Sequence, residues 1–193
     1  MRSTAGRVLV LYSLIPNCAS KLKTAHLTLI PHVPAHLLAL SRSEKEYELV
    51  SGFRIAPGIR DFLLMASPEF LQSLEALPPP DPWKFGFAIF HTADDRVIGL
   101  CGYAGPPNAE GCVEIGYSIA PVYQGKGLAT EAAEALVAFA TNTGAVQKVC
   151  AHTLSETNAS TRVLEKCGFT KASEITDPEG KLVWKWEKTL VTS

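Results

Sequence analysis

Val113-Glu-Ile-Gly-Tyr-Ser-Ile-Ala-Pro-Val-Tyr-Gln-Gly-Lys-Gly-Leu-Ala-Thr-Glu-Ala-Ala133 is the stretch whose reading decides the fold. Val113, Ile115, Tyr117 and Ile119 alternate with Glu114, Gly116 and Ser118, a period of two that predicts a half-buried strand. Gln124-Gly125-Lys126-Gly127 follows as a turn, and a helix opens near Leu128. Such a turn leaves backbone N–H groups unpaired at the positive end of the helix dipole. That arrangement suits an anion, phosphate above all. It is not a P-loop, because Gly127 is followed by Leu128 rather than by Lys and Ser or Thr. Nor is it the dinucleotide fingerprint, which needs glycine where Thr130 stands. Taken alone, the turn is either a phosphate site or a simple bend that uses glycine's backbone freedom.

Outward from this segment the chain alternates strand and helix signals. Thr24–Ile30 reads as a first strand, closed by Pro31 and Pro34. Helical spacing runs over 35–50, and a further pair of helices is expected over 58–66 and 68–77, with Ser67 as N-cap, Pro68 in the first turn and Glu69 near the positive end. Pro78–Pro82 reads as a stiff connector without regular structure. Strands are expected at Lys84–His91 and Arg96–Tyr103, joined by the polar turn Thr92–Asp95. The helix after the turn, about 128 to 141, buries Leu128, Ala132, Leu136 and Phe139 or Ala140 and keeps Glu131 and Glu134 outside, with Gly144 as its C-terminal cap. Val146–His152, a helix at 159–166, a return strand from Gly168-Phe169 and Lys181–Lys188 complete the order. This predicts an α/β fold with a mostly antiparallel sheet.

The chain has 193 residues, 47% hydrophobic and 19% charged, which suits one globular domain and excludes a disordered chain. We divide it into an N-terminal extension at 1–23, one domain at 24–188 and a tail at 189–193. Val8–Ile15 follows Arg2 and Arg7 but is short and broken by Tyr12 and Ser13, and Pro16 and Asn17 stand where a cleavage site would need small residues. Residues 1–23 are therefore read as an extension or extra strand rather than a signal peptide, and the run is too short to span a bilayer. Cys18, Cys101, Cys112, Cys150 and Cys167 are odd in number and widely spaced, so free thiols in a cytoplasmic setting are expected, with no disulfide framework and no metal site. A net charge of −1 carries no footprint for nucleic acid. No membrane partner is expected.

A second constellation, Asn158-Ala-Ser-Thr-Arg-Val-Leu-Glu-Lys-Cys-Gly-Phe169, changes the reading of the first. Together they resemble the GNAT superfamily of acetyl-CoA-dependent N-acetyltransferases. Gln124, Gly127 and Ala129 match its phosphate turn, and Ser160, Glu165, Lys166, Gly168 and Phe169 match its later helix. The wording is closest to the branch of ribosomal-protein N-terminal (alanine) acetyltransferases, whose opening strand resembles Thr24, Leu27 and Leu29. The resemblance implies a mixed, mostly antiparallel sheet of about seven strands, splayed near its middle and flanked by helices. It assigns the diphosphate of acetyl-CoA, as co-substrate, to the amides of Gly125, Lys126, Gly127, Leu128, Ala129 and Thr130, with Gln124 shaping the turn. Ile119 and Ala120 would offer backbone groups to the pantetheine arm, and Asn158 and Ser160 would touch its far side. Asn158 stands one place later than the family pattern, and Lys166 is read as a solvent-facing residue at the helix end.

The implied reaction is direct attack of a primary amine on the thioester in a ternary complex. The amine arrives protonated, so a base must take a proton. Glu114, projecting beside Gly116 and Ser118, is the first candidate and His152 its rival, while a strand N–H near Ile119 would meet the developing oxyanion. The family's acid is often a Tyr in the later helix, where this chain has Leu164. Tyr117, Tyr103, a water or unaided departure of the thiolate could stand in its place, and Ser118 would orient substrate or water. Direct transfer is favoured over an acyl-cysteine route through Cys150 or Cys167. Phe53, Arg54, Arg60, Phe62 and Phe70 either line the acceptor pocket or pack the domain. The acceptor is a protein N-terminus or a small-molecule amine, and the chain is expected as monomer or homodimer. The reading from another class is a non-catalytic acyl-CoA sensor.

Overall fold

The computed structural model describes residues 21–177 and 180–190. The expectations for Cys18, for most of the extension and for the last residues of the tail lie outside them. The strands are β1 (Leu22–Lys23), β2 (Leu27–Pro31), β3 (Arg54–Ile55), β4 (Phe87–His91), β5 (Arg96–Tyr103), β6 (Cys112–Ile119), β7 (Lys148–Leu154), β8 (Thr170–Thr176) and β9 (Leu182–Thr189). The helices are α1 (Pro34–Arg42), α2 (Glu44–Ser51), α3 (Ile59–Leu63), α4 (Pro68–Ser73), α5 (Pro82–Phe85), α6 (Leu128–Asn142) and α7 (Ala159–Lys166).

One sheet runs in the order β1-β2-β4-β5-β6-β7-β9-β8, with β3 beside β5. Only β6–β7 and β3–β5 are parallel among the described residues. Against the expected count of about seven strands there are nine, because the two-residue β1 and β3 add themselves to seven longer ones. β1 lies at the end of the segment read as the extension and pairs Leu22 with Leu29.

Several boundaries differ from the sequence reading, four of them for a plain local reason. The helical run at 35–50 is two helices, because Ser43 is extended and spends its hydroxyl capping the Glu46 amide. The proline connector ends in a helical turn, since Asp81 caps the Trp83 amide and Pro82 fits the first helical position. Lys84 and Phe85 belong to that turn, which delays β4 to Phe87. β7 starts at Lys148 rather than Val146 because Gln147 and Lys148 first donate to Gly111 O. Ser67 caps α4 through the Phe70 amide, as expected.

α6 buries Leu128, Ala132, Ala133, Leu136, Val137 and Ala140 against the sheet. Each large aliphatic side chain removed from water there contributes about 1.5–3 kcal/mol. Glu131 is not outside as expected: its carboxylate accepts from the Thr24 hydroxyl and the His26 amide, tying β2's start to α6. Trp83, Phe87, Tyr103 and Phe139 form an aromatic cluster on the same side, with Trp83 and Tyr103 centroids 4.5 Å apart.

β5 and β6 approach closely because Gly99 lacks a side chain: a Cβ there would stand 2.1 Å from Ser118 O. Gly99→Ala is therefore expected to destabilise the fold by about 1–3 kcal/mol, read as a lowered thermal midpoint. Two buried histidines make a second prediction. Desolvation lowers the His32 pKa to about 3 and that of His36 to about 4. The unfolded chain protonates them near 6.5 while the fold holds them neutral, so stability falls as pH drops from about 6.5 toward 4 and is indifferent to them above that window. Thermal midpoints measured across pH, with His32→Gln flattening the acid limb, would check it.

Candidate functional site

The site is built around β6, whose two faces and one free edge do different work. Ala104 donates its amide to Glu114 O, and Ala120 donates to Ile98 O. The polar backbone groups of Glu114, Gly116, Ser118 and Ala120 therefore face β5, and those of Ile115, Tyr117 and Ile119 face the β7 side. β7 pairs with β6 only from Cys112–Lys148 to Glu114–Cys150. Beyond Cys150 it continues along β9, so the Tyr117 and Ile119 edge opens onto a wedge between the strands. Gln124 closes one end by donating its Nε2 to Ile119 O at 2.8 Å. The expectation that Ala120 offers its backbone to a ligand meets an obstacle here, since its amide is used in the ladder with Ile98.

Below the wedge lies the turn. Gly125 and Gly127 have φ of 75° and 81°, the left-handed region that glycine enters without strain. The first backbone bond of α6 is from the Glu131 amide to Gly127 O. The amides from Gly125 to Thr130 have no acceptor among the described residues. A groove of about 400 Å³ runs from this turn along the β6 edge to α7, bordered by Tyr117, Ser118, Ile119, Gln124, Gly125, Gly127, Leu128, Ala129, Thr130 and Ser160. The sequence reading missed Arg162 on this border; Lys166, read as solvent-facing, is exposed and also stands there. Two cations four and eight residues after the Asn158 cap, on one face of α7, were the available signal. Lys126 does not border the groove; its ammonium sits 5.2 Å from the Tyr123 ring centre. Asn158 is also absent from the groove wall, because its side chain caps α7 through the Ser160 and Thr161 amides, with Thr161 reciprocating.

The opposite face of β6 carries Glu114 into a second cavity of about 560 Å³, roofed by α3 and α4. Gly116 lines it, and a Cβ there would meet nothing within 4 Å, so the cavity is open at this point. Phe62 and Phe70 border this cavity. The other residues considered for it do not: Phe53 packs edge-on against Phe90, Arg54 binds Asp94 O and Arg60 binds Ser41 O.

Glu114 and His152, read as rival bases, are partners. His152 Nδ1 lies 2.7 Å from Glu114 Oε1. The pairing follows from register, because Glu114 stands opposite Cys150 in the parallel ladder and His152 is the next residue on the same face. With Glu114 ionised, Nδ1 is the donor, and His152 Nε2 is buried with no partner among the described residues. Glu114 borders the cavity and His152 stands behind it.

The acid candidates separate as clearly. Tyr103 spends its hydroxyl on Leu136 O at 2.6 Å inside the core. Leu164 is buried. Tyr117 borders the groove with its hydroxyl 3.4 Å from Ser160 O, and burial, then neighbouring Cys167, raise its pKa. All four described cysteines are free thiols, but Cys112 and Cys150 lie with sulfurs 3.7 Å apart, a proximity invisible in their sequence spacing. Burial pushes the Cys150 thiol up to about 12 and Cys167 to about 11, so neither is an activated nucleophile. No cluster of side chains suited to a metal and no helix long and apolar enough to cross a membrane occurs among the described residues.

A splayed mixed sheet with an amide-lined turn at the head of its central helix defines the class. Residues 26–170 match the Acetyltransferase (GNAT) domain, and the chain belongs to that family. It is 30% identical over 100 residues to the uncharacterized N-acetyltransferase p20 of Bacillus licheniformis, covering 50% of this chain and 56% of the relative. It is 32% identical over 105 residues to the probable N-acetyltransferase YjcK of Bacillus subtilis, covering 54% and 58%. The chain thus spans about half the length of the curated relatives it matches. In fold it is similar to the ribosomal-protein acetyltransferase RimL in complex with coenzyme A, with a TM-score of 0.63 at 14% identity over 90% of this chain and 100% of that one. A ribosomal-protein alanine acetyltransferase from Vibrio fischeri gives 0.62 at 16% identity over 88% and 96%.

The Glu114–His152 contact has a direct check. Nitrogen NMR of His152 is expected to report a protonated Nδ1 that loses its downfield proton signal in Glu114→Ala, while a spectrum unchanged by the substitution would mean the two are not bonded in solution.

Proposed function

We propose that this chain is an acetyl-CoA-dependent N-acetyltransferase in which Glu114 is the general base. The observation that carries the reading is that two cavities meet at one strand. The amide-lined groove ends at Tyr117–Ile119, and the cavity holding Glu114 begins at Gly116. Acetyl-CoA fits the groove in charge and shape: six unpaired amides and the cations Arg162 and Lys166 would take its phosphates. The free edge at Tyr117 and Ile119 would pair with its extended arm.

When bound, acetyl-CoA supplies a thioester carbonyl; the amine nitrogen bonds to that carbon and the C–S bond breaks. Glu114, facing the acceptor cavity, takes the proton that the ammonium must lose. His152, donating through Nδ1, holds the carboxylate in position. The amides of Tyr117 and Ile119 point into the wedge, where they would stabilise charge developing on the carbonyl oxygen. Tyr117, kept protonated by its surroundings, is placed on the groove side to hydrogen-bond the departing sulfur, which would leave as a thiolate and take up the second proton that the nitrogen sheds as the amide forms. The likeness in fold to ribosomal-protein acetyltransferases supports acyl transfer and leaves the acceptor to the cavity itself.

Glu114→Gln should lower kcat/KM by about 10²–10⁴ and remove the rising acid limb of its pH profile, with the Kd for acetyl-CoA unchanged in calorimetry. An unaltered pH profile would exclude Glu114 as the base. Gly127→Val should do the opposite. A β-branched residue is strained at a φ of 81° and projects toward the phosphate position, so the Kd for acetyl-CoA should rise about tenfold or more in a folded variant. Tight acetyl-CoA binding with no transfer to any amine would instead identify a sensor.

A further inference from the structure

The Glu114 cavity has a charge inventory that selects among amines. Among the described residues bordering it, Glu114 is the one carboxylate and Lys84 the one permanent cation. His32 also borders it but is buried and held neutral. Asp61 and Glu69, on the two roofing helices, do not reach its wall. The remainder is chiefly apolar: Leu37, Phe62, Leu63, Met65, Phe70 and Phe85. Met65 is 81% exposed and Phe62 36% exposed, so the lip presents apolar surface that the core does not use.

A polyamine carries further ammonium groups beyond the one that reacts. Each would be desolvated against these side chains without a carboxylate to meet it, and Lys84 would repel it. A peptide would need backbone partners along its course, and this wall offers few polar groups. A volume of about 560 Å³ lies within the range of small-molecule sites.

We propose that the acceptor is a free primary amine with a single charge and an apolar body, its nitrogen at Glu114 and its hydrocarbon against Phe62, Met65 and Phe70. This rests on the N-acetyltransferase reading and narrows it to a substrate class.

The test is a thiol-release assay with acetyl-CoA against ethylamine, butylamine, hexylamine, phenylethylamine, spermidine, and peptides beginning with Ala, Ser or Leu, beside calorimetric binding of acetyl-CoA. The expected result is a rise in kcat/KM of about tenfold or more from ethylamine to hexylamine or phenylethylamine, with spermidine and all peptides below them. Met65→Ala and Phe62→Ala should flatten that chain-length dependence, lowering kcat/KM for hexylamine and phenylethylamine more than for ethylamine, with the acetyl-CoA Kd as it was. A general loss of fold would not produce that pattern. Lys84→Glu, at an exposed position, should raise spermidine turnover by up to about fivefold. If spermidine or a peptide is the best acceptor, or chain length has no effect, the inference is overturned while the acetyltransferase reading stands. If acetyl-CoA binds and nothing is acetylated, that reading itself falls and takes the inference with it.

Discussion

The site depends on one constraint: β7 follows β6 for three residues and then leaves it. Up to Glu114 and Cys150 the two strands are paired; beyond that point β7 is held by β9 through Leu154. Backbone amides that a regular sheet would consume are left exposed at Tyr117 and Ile119. Unpaired polar edges are costly inside a fold, and here the edge lines an open groove instead of the core. The carbonyl of Ile119 is satisfied from within by Gln124. The same divergence makes the wedge through which the two faces of β6 communicate.

Register supplies the rest. Because side chains alternate on a strand, Tyr117 and Ile119 turn toward the groove, and Glu114 and Gly116 toward the second cavity. A parallel partner in this register puts Cys150 and His152 on Glu114's face. The Glu114–His152 contact and the near approach of Cys112 and Cys150 are thus two products of one pairing. A slip of a single residue would turn Glu114 into the apolar layer and abolish both.

Much of this was legible from local pattern. β5 and α7 were placed at their observed bounds, the turn at Gly125–Gly127 was recognised, and the glycines adopt the positive φ that such a turn requires. Errors fell where a short polar side chain competes with the backbone. Ser43 splits a helix, Asp81 starts one after prolines, and Asn158 caps α7 instead of facing the groove. Glu131 looked solvated by helical spacing but is claimed by Thr24 and His26 from over a hundred residues away. Tyr103 passed for an available acid until its partner, a backbone carbonyl in α6, was in view.

The sequence by itself determined what depends on neighbours along the chain: the alternation of β6, the glycine turn, the start of α6 and the short helix with its motif. These follow from period, steric freedom and capping, which act within a few residues. Tertiary structure alone decided which candidate residues meet. Whether Glu114 and His152 compete or cooperate, which tyrosine hydroxyl reaches the groove, and which aromatics face the Glu114 cavity depend on register and packing between distant strands and helices. Those relations are set by burial across the whole sheet, and no local pattern encodes them.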